Sequence, residues 1–464
     1  MPRTVVKQHR LIALAMLWVL AVAPLTLLGF GSDTDAWLVA DRTDYIAAHG
    51  RYFRSRSTGF PLYELAVTPL VQAGDWYLSN QVAVAGGLAL FAVLGALARR
   101  GHYRHPWVVL TAIMFLPVIV KNGSVTMDYL PALALLAGAY LLLLEGRLTA
   151  AAICIGIATG IRPSSLAFAG PAALYTWQRA GRLGPALRLV LIAAVLGVVA
   201  FSPSLLLDAE FGLARTMPAL KGAYNALRLI GVLQAAALGV LFAIWRPRAL
   251  GLFRSWRAEP LVVFHGAVIV TWLLMFVPMP DEPEYLLPLV PSAIWLLDRL
   301  LTRRQFAIVT AVLLSYHVVS LDVAGTRGGT RPPVVSLGPG FTVADVQDRL
   351  FKLSLRELAT NWRGTTPTLL MEQALAITAR NPAWVLDPAI DEYRQLDGHL
   401  YVSLRYYHEE TVRRFREKGV RVVAMKSREW EFHQPGRDTA WPYIDFVDDL
   451  EEVLGGPIRG RPMW

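Results

Sequence analysis

The sequence predicts an all-α polytopic membrane domain of about eleven transmembrane helices, followed by a small extracytoplasmic α/β domain. Three observations support this prediction. Of the 464 residues, 55% are hydrophobic and 17% are charged, whereas a soluble domain averages about 25% charged residues. Apolar segments recur as far as residue 321, and the composition becomes polar beyond it. The basic residues flank apolar segments, so the net charge of +10 indicates topology and lipid phosphate rather than a nucleic-acid partner.

The first apolar segment follows Arg3, Lys7 and Arg10 and is about 20 residues long, enough to cross a bilayer. No clear cleavage site ends it and many apolar segments follow, so we interpret it as a transmembrane helix and not as a signal peptide. Several segments are shorter than an ideal span, and the fifth and sixth form either two short helices or one re-entrant excursion. The predicted segments are 11–30, 81–98, 106–120, 129–144, 148–161, 165–177, 187–207, 226–245, 261–278, 285–298 and 305–321.

Arginine is concentrated in alternate loops. If the N-terminus is cytoplasmic, every inner loop contains arginine, whereas the outer connections VTMDY and MPDEPEY are acidic. This bias predicts that the N-terminus is cytoplasmic and the C-terminal domain extracytoplasmic. Because no retention signal appears in the sequence, we expect an integral protein of the plasma membrane. The inner loops are 99–105, 145–147, 178–188, 246–257 and 298–304.

The opening loop, residues 31–80, is the exception to this bias, because it is external and yet contains four arginines. We therefore expect these arginines to have a role other than topology. The loop contains SDTDAW, which resembles the start of a surface helix, and Pro61 begins a second short helix, 61–73, that we expect to lie along the membrane surface.

A domain boundary is predicted near residue 322, which divides the chain into a transmembrane domain, 1–322, and a soluble domain, 323–464. The stretch TRGGTRPP (326–333) is typical of a linker. Apolar spacing then predicts alternating helices and strands. The predicted elements are a helix at 343–360, a strand at 367–371, a helix at 408–419, a strand at 420–426 and a final helix near 443–454.

Asp33 and Asp35 directly follow the first predicted span. A carboxylate at this depth could remove the proton of an acceptor hydroxyl or amine while a lipid-borne donor lies in the bilayer. The alternative is structural, because SDTD is also a good N-cap for the helix that follows.

Three arginines are candidates for phosphate binding. Arg54 and Arg56 lie two residues apart in RSRSTGFPLYE, and an extended backbone would point both guanidinium groups the same way. Such a pair suits a phosphate or diphosphate, although anchoring to lipid headgroups is an equally good interpretation. Arg162 lies between two short apolar segments, where a charge is costly and usually functional unless the side chain extends to the interface.

Acidic residues also occur in two later outer loops. Asp128 could cap the following helix or contact substrate. Asp281, Glu282 and Glu284 lie close together and could bind a divalent metal ion or a hydroxyl-rich acceptor. No spacing here is diagnostic of a metal, and the sequence establishes no cofactor. We assign acceptor or substrate binding to Tyr63, Asp128, Glu282, Glu284 and Tyr285.

Taken together, these positions resemble the GT-C superfamily of glycosyltransferases that use polyprenyl-phosphate sugars, whose members include protein O-mannosyltransferases and aminoarabinose transferases of lipid A. The resemblance rests on the acid after the first span, on Gly59, Pro61 and Leu62 at the entry to the second surface helix, and on EYLLPLVP from Glu284. It covers roughly residues 11–321. In members of the superfamily the first acid is often an Asp followed directly by Glu. In this chain Asp33 is followed by Thr34 and the next acid is Asp35, so the choice between Asp33 and Asp35 stays open.

The resemblance implies an inverting transfer of a sugar from a polyprenyl-phosphate donor to an extracytoplasmic glycan, lipid or protein. Asp33 or Asp35 would be the catalytic base, and Arg54, Arg56 and Arg162 would bind the donor phosphate. Two other classes of protein fit the pattern of spans: a multi-span transporter, although no internal repeat is found, and a membrane scaffold with an outer binding domain.

Overall fold

The computed structural model describes residues 8–56, 58–206, 219–245, 259–280, 282–324, 334–379, 400–403 and 409–425. These residues are mostly helical. Three helices are long and apolar enough to cross a membrane, namely Gln8–Leu27, Pro61–Arg99 and Gly184–Leu205. The chain is therefore an integral membrane protein, as its composition predicted.

The helices follow one another with short connections, and short 3₁₀ helices at Ala23–Leu27, Pro163–Phe168 and Pro283–Leu289 extend three of them. The α-helices are α1 Gln8–Val22, α2 Thr34–His49, α3 Pro61–Arg99, α4 Pro106–Met114, α5 Pro117–Asn122, α6 Tyr129–Leu144, α7 Leu148–Ile161, α8 Ala169–Ala180, α9 Gly184–Leu205, α10 Ala219–Leu227, α11 Val232–Trp245, α12 Pro260–Phe276, α13 Val290–Leu300, α14 Arg303–Ser315, α15 Phe341–Asn361, α16 Pro367–Ala379 and α17 Glu409–Glu417.

Each predicted apolar segment coincides with one or more of these helices, while the number of membrane crossings stays a prediction. The segment 106–120 is divided because Leu116, which precedes Pro117, is extended (φ −61°, ψ 133°) and a residue before proline disfavours helix. The fifth and sixth segments are separate helices, since Arg162 between them has an extended backbone (φ −147°, ψ 110°).

Helix α3 contains both the predicted surface helix, 61–73, and the predicted span, 81–98. Its backbone leaves the helical region at Gly74 and at Asp75, which has φ 53° and ψ −140°. This kink divides α3 into two helical parts at the boundary that the sequence indicated.

The core of the bundle is formed where α6 packs against α3 and α7, and where α7 packs against α9. Trp18 of α1 is fully buried and lies against Gly87 of α3 and Gly123, where an added Cβ would overlap the indole ring. The absence of side chains at these two glycines therefore lets α1 approach α3 closely.

Three of the arginine-containing loops, 99–105, 145–147 and 298–304, meet at one end of the bundle. The buried Asp298 accepts hydrogen bonds from the backbone N–H groups of Arg104 at 2.6 Å and His105 at 2.9 Å. Arg100 pairs with Glu145 of another such loop at 2.5 Å. Loops that were placed on the same side of the membrane are thus neighbours in the fold.

The region after α14 differs in part from the prediction. The last apolar segment, 305–321, is helical only to Ser315, because Val319–Ala324 (β1) pairs antiparallel with Val334–Pro339 (β2). A strand predicted at 367–371 is wrong: these residues begin α16, since the run of apolar residues continues into the helix formers of MEQALAITA.

Other C-terminal predictions are confirmed. Helices α15 and α17 match 343–360 and 408–419, and Val422–Met425 (β4) lies within the predicted strand and pairs in parallel with Leu400–Ser403 (β3). The linker at 326–333 and the helix near 443–454 lie outside the described residues. The division into two domains stays a prediction.

Candidate active site at the opening-loop end

Two arginines share one buried aspartate at the end of the bundle where the opening loop lies. Arg56 donates to Oδ1 of Asp128 at 2.8 Å, and Arg162 donates to Oδ2 at 2.7 Å. Asp128 is fully buried and Arg162 is 7% exposed. Burial raises the free energy of the Asp128 charge, but Arg162 and Arg56 outweigh it and lower the pKa of this carboxyl. Asp128 therefore stays ionised and holds both guanidinium groups in place.

Arg56 also contacts a second carboxylate, because its other terminal nitrogen lies 3.2 Å from Oδ2 of Asp35. We call Asp35, Arg56, Asp128 and Arg162 the arginine–aspartate cluster. Burial raises the pKa of Asp35 to about 6, against the opposing effect of Arg56. The two carboxylates of the cluster thus differ, and Asp35 is the one that can exchange a proton near neutral pH.

Asp33 has the structural role that the sequence offered as the alternative. It is the N-cap of α2, with an extended backbone (φ −73°, ψ 134°), and its side chain accepts a hydrogen bond from the Asp35 N–H at 3.0 Å. Asp33 thereby fixes the first turn of α2, and with it the position of Asp35.

Carboxylate oxygens of Asp33, Asp35 and Glu282 all lie within 4.8 Å of one another. Oxygen ligands of this kind are those that Mg²⁺ and Ca²⁺ prefer. Among the described residues, these three could together hold a divalent metal ion. Asp281, which was named from the sequence with Glu282 and Glu284 as a possible metal ligand, lies outside the described residues.

Aromatic rings line the cluster. The Arg56 guanidinium lies 3.7 Å from the centroid of the Phe60 ring, and that of Arg162 lies 3.9 Å from Tyr129 and 5.2 Å from Tyr285. The Tyr129 hydroxyl donates to Glu282 at 2.7 Å, and burial, followed by Asp33 and Asp35, raises the pKa of Glu282. Apolar ring faces around the guanidinium groups exclude water and strengthen electrostatic interactions.

Several predicted site residues lie around the cluster without belonging to its ion pairs. Glu284 pairs with Lys121 at 2.8 Å, and Lys121 lowers the pKa of Glu284 in spite of burial. Tyr63 is 2% exposed, and its hydroxyl has no hydrogen-bond partner among the described residues. Arg54 is half-buried in the same loop as Arg56, but the cluster's ion pairs come from Arg56 and Arg162.

Glu64 was not assigned a role from the sequence, yet it organises the loop that carries Arg56. Its fully buried carboxylate accepts hydrogen bonds from the backbone N–H groups of Ser55 at 2.8 Å and Phe60 at 2.9 Å, and from the Tyr52 hydroxyl at 2.5 Å. The signal that could have identified it is an acid in the first turns of an otherwise apolar helix, reaching back to the N-cap.

Helix α15 supports the other side of the opening loop. The fully buried Arg349 donates to the carbonyl oxygens of Leu25 at 3.0 Å and Ser124 at 3.2 Å, and pairs with Asp345 at 2.8 Å. Lys352 donates to the carbonyl of Ser32, directly before the N-cap of α2. The start of α2 is thus held by a helix more than 300 residues later in the chain, which no local pattern could indicate.

No family model matches the chain, and no curated protein matches it. Two solved structures are similar to it. ArnT from Cupriavidus metallidurans bound to undecaprenyl phosphate is 16% identical, with a TM-score of 0.49 over 95% of this chain and 88% of that chain. ArnT from the same organism in the apo state is 17% identical, with a TM-score of 0.48 over 90% of this chain and 85% of that chain.

Proposed function

We propose that this protein is a membrane glycosyltransferase that transfers a sugar, with inversion, from a polyprenyl-phosphate donor to an extracytoplasmic acceptor. The observation that carries the proposal is the arginine–aspartate cluster. It joins a carboxylate of raised pKa to two guanidinium groups, at one end of an apolar helical bundle. A base beside two phosphate-binding groups is what a displacement at a sugar phosphate needs.

Asp35 is the proposed base. Its side chain is 23% exposed, whereas that of Asp128 is fully buried, so a substrate can reach Asp35. With a pKa of about 6, Asp35 is ionised at neutral pH and still basic enough to accept a proton. Asp33 is the weaker candidate, because one of its oxygens caps α2.

Arg56 and Arg162 are the proposed ligands of the leaving phosphate, and Arg54 is a further candidate in the same loop. The acceptor oxygen forms a bond to the anomeric carbon while its proton passes to Asp35. The bond from that carbon to the phosphate oxygen breaks, and the electron pair leaves with the polyprenyl phosphate. Preorganised donors that stabilise such charge contribute about 3–4 kcal/mol each.

Arg56 contacts both Asp35 and Asp128, and this supports a link between proton transfer to Asp35 and departure of the phosphate. Ionised Asp35 and Asp128 balance the charges of Arg56 and Arg162, since each contributes one unit. When Asp35 takes the acceptor proton, the cluster gains one positive charge at the moment when the phosphate becomes more negative. The attraction between Arg56 and the leaving group therefore grows along the reaction, which favours the transition state over the bound substrate.

Binding of undecaprenyl phosphate to the purified full chain tests the proposal. Arg162→Gln is expected to weaken binding at least tenfold, because a guanidinium that pairs with phosphate is lost. Arg51→Gln is the matched control, since Arg51 is exposed in the same loop and its loss should leave affinity unchanged. Equal affinity of the Arg162→Gln variant and the unmodified chain would refute the assignment of the phosphate site.

A further inference from the structure

A cavity opens beside the kink of α3. It has a volume of about 490 Å³ and is lined by residues of α2, of the kink, and of the C-terminal helices α15 and α17. This volume lies within the roughly 300–1,000 Å³ that pockets for small molecules occupy. We call it the kink pocket. It is distinct from the arginine–aspartate cluster, because the lining contains none of the cluster's four residues.

The lining of the kink pocket carries charges of both signs. Arg356 pairs with Asp75 at 3.0 Å and with Glu410 at 3.7 Å, and Gln72 donates to Asp44 at 2.6 Å. Arg414 also lines the pocket, so three carboxylates face two guanidinium groups. A phosphorylated ligand would need a surplus of positive charge. A nearly balanced set of donors and acceptors instead suits hydroxyl groups, which donate and accept at once.

Aromatic side chains lie behind Arg356 and at the rim of the pocket. The Arg356 guanidinium lies 4.6 Å from the centroid of the Trp76 ring and 5.6 Å from that of Trp37. Tyr77 lines the pocket, is 51% exposed, and lies against Trp76 with ring centroids 5.0 Å apart. A sugar has an apolar face of C–H groups and a rim of hydroxyl groups. An exposed aromatic ring can stack against the apolar face while the neighbouring polar side chains form hydrogen bonds with the hydroxyl groups.

The backbone at Asp75 gives an independent indication of a site. Asp75 is the only described residue other than glycine with positive φ (53°), a conformation that costs about 1–3 kcal/mol and is often kept where function needs it. Here it directs the Asp75 carboxylate to Arg356 at the pocket wall.

Helix α2 lies between the kink pocket and the proposed base. Asp35 lies in its first turn, and Ala40 and Asp44 line the pocket farther along. At 3.6 residues per turn, Ala40 is rotated by about 140° and Asp44 by about 180° from Asp35 around the helix axis. The pocket therefore lies on the face of α2 that is turned away from Asp35, and it is a separate site from the arginine–aspartate cluster.

We infer that the kink pocket is a carbohydrate-binding site for a neutral, hydroxyl-rich glycan, separate from the proposed site of transfer. Because glycan binding can be measured without a donor, this inference does not depend on the proposed function.

The test is binding of the full chain, in detergent, to an array of neutral and phosphorylated oligosaccharides. We expect binding to neutral members, weakened at least tenfold by Tyr77→Ala and by Gln72→Ala, both of which replace exposed residues. Leu78→Ala is the matched control, because Leu78 is exposed on the same helix and does not line the pocket. Binding to phosphorylated glycans alone, binding to none, or unchanged binding by both pocket variants would overturn the inference.

A parallel measurement separates the two proposals. Tyr77→Ala should bind undecaprenyl phosphate as the unmodified chain does, because Tyr77 is not part of the arginine–aspartate cluster. If neutral glycans bind and undecaprenyl phosphate does not, the pocket stands and the glycosyltransferase proposal fails. If undecaprenyl phosphate binds and neutral glycans do not, the glycosyltransferase proposal stands and the inference about the pocket fails.

Discussion

The guanidinium of Arg56 lies 3.2 Å from the carboxylate of Asp35, so the proposed proton acceptor and a proposed phosphate ligand are in direct contact. Arg56 reaches Asp128 with its other terminal nitrogen, at 2.8 Å. It therefore connects a carboxylate that is held ionised to one that can titrate near neutral pH. Both the pH dependence and the mutational behaviour of the site follow from this arrangement.

The rate of sugar transfer should fall as the pH decreases through about 6, because Asp35 must be ionised to accept a proton and burial raises its pKa to about 6. Initial rates between pH 4.5 and 8, with saturating donor, measure this decrease on the acidic side of the pH–rate profile. In Asp35→Glu the rate should still fall with decreasing pH, but the pH at which it is half-maximal should change. A rate independent of pH over this range would contradict the assignment of Asp35.

Asp35→Asn should lower the turnover number by at least 10²-fold, since a positioned general base contributes about 10²–10⁴-fold. Asp33→Asn is the matched comparison two residues earlier, and Asn also caps helices well, so this change should lower the turnover number much less. Affinity for undecaprenyl phosphate should persist in both variants. A larger loss in Asp33→Asn than in Asp35→Asn would exchange the two roles.

Asp128→Asn should lower the stability of the folded protein by about 3–5 kcal/mol, because it leaves two buried guanidinium groups without the carboxylate between them. Glu145→Gln removes the partner of Arg100 in an ion pair whose arginine is 52% exposed, and it should cost less than about 1 kcal/mol. Thermal unfolding in detergent compares the two. Equal losses in both variants would show that the Asp128 pairs contribute no more than a surface pair.

Much of the bundle was predictable because apolar length and proline position are local signals. The boundaries of α6 and α7 agree with the predicted segments at 129–144 and 148–161, and the kink at Gly74 and Asp75 lies where a polar break separates two apolar runs. The strand predicted at 367–371 failed for the complementary reason: a short segment with three successive apolar residues, 369–371, fits a strand and the first turns of a helix equally well.

The sequence indicated the residues of the candidate site but not the ion pairs between them. Asp35, Arg56, Asp128 and Arg162 were all identified from charges beside apolar segments, and the structure brings them together. That Asp128 serves two arginines depends on tertiary packing, which spacing in the sequence does not encode. Likewise, the contacts of Arg349 with residues near the start of the chain are visible only in the fold.

The geometry of the loop before α3 gives a final prediction, at Gly59. This residue has φ +75°, and an added Cβ would collide with Ser204 and with the Tyr52 hydroxyl. That hydroxyl donates a hydrogen bond to Glu64. Gly59→Ala should therefore disturb the loop that carries Arg56, and weaken binding of undecaprenyl phosphate in addition to lowering stability. Gly50→Ala is the matched control: Gly50 has φ +62°, but a Cβ there meets nothing within 4 Å, so only backbone strain of about 1 kcal/mol is expected. If both variants lose stability equally and both keep full affinity for the lipid phosphate, packing at Gly59 does not position Arg56.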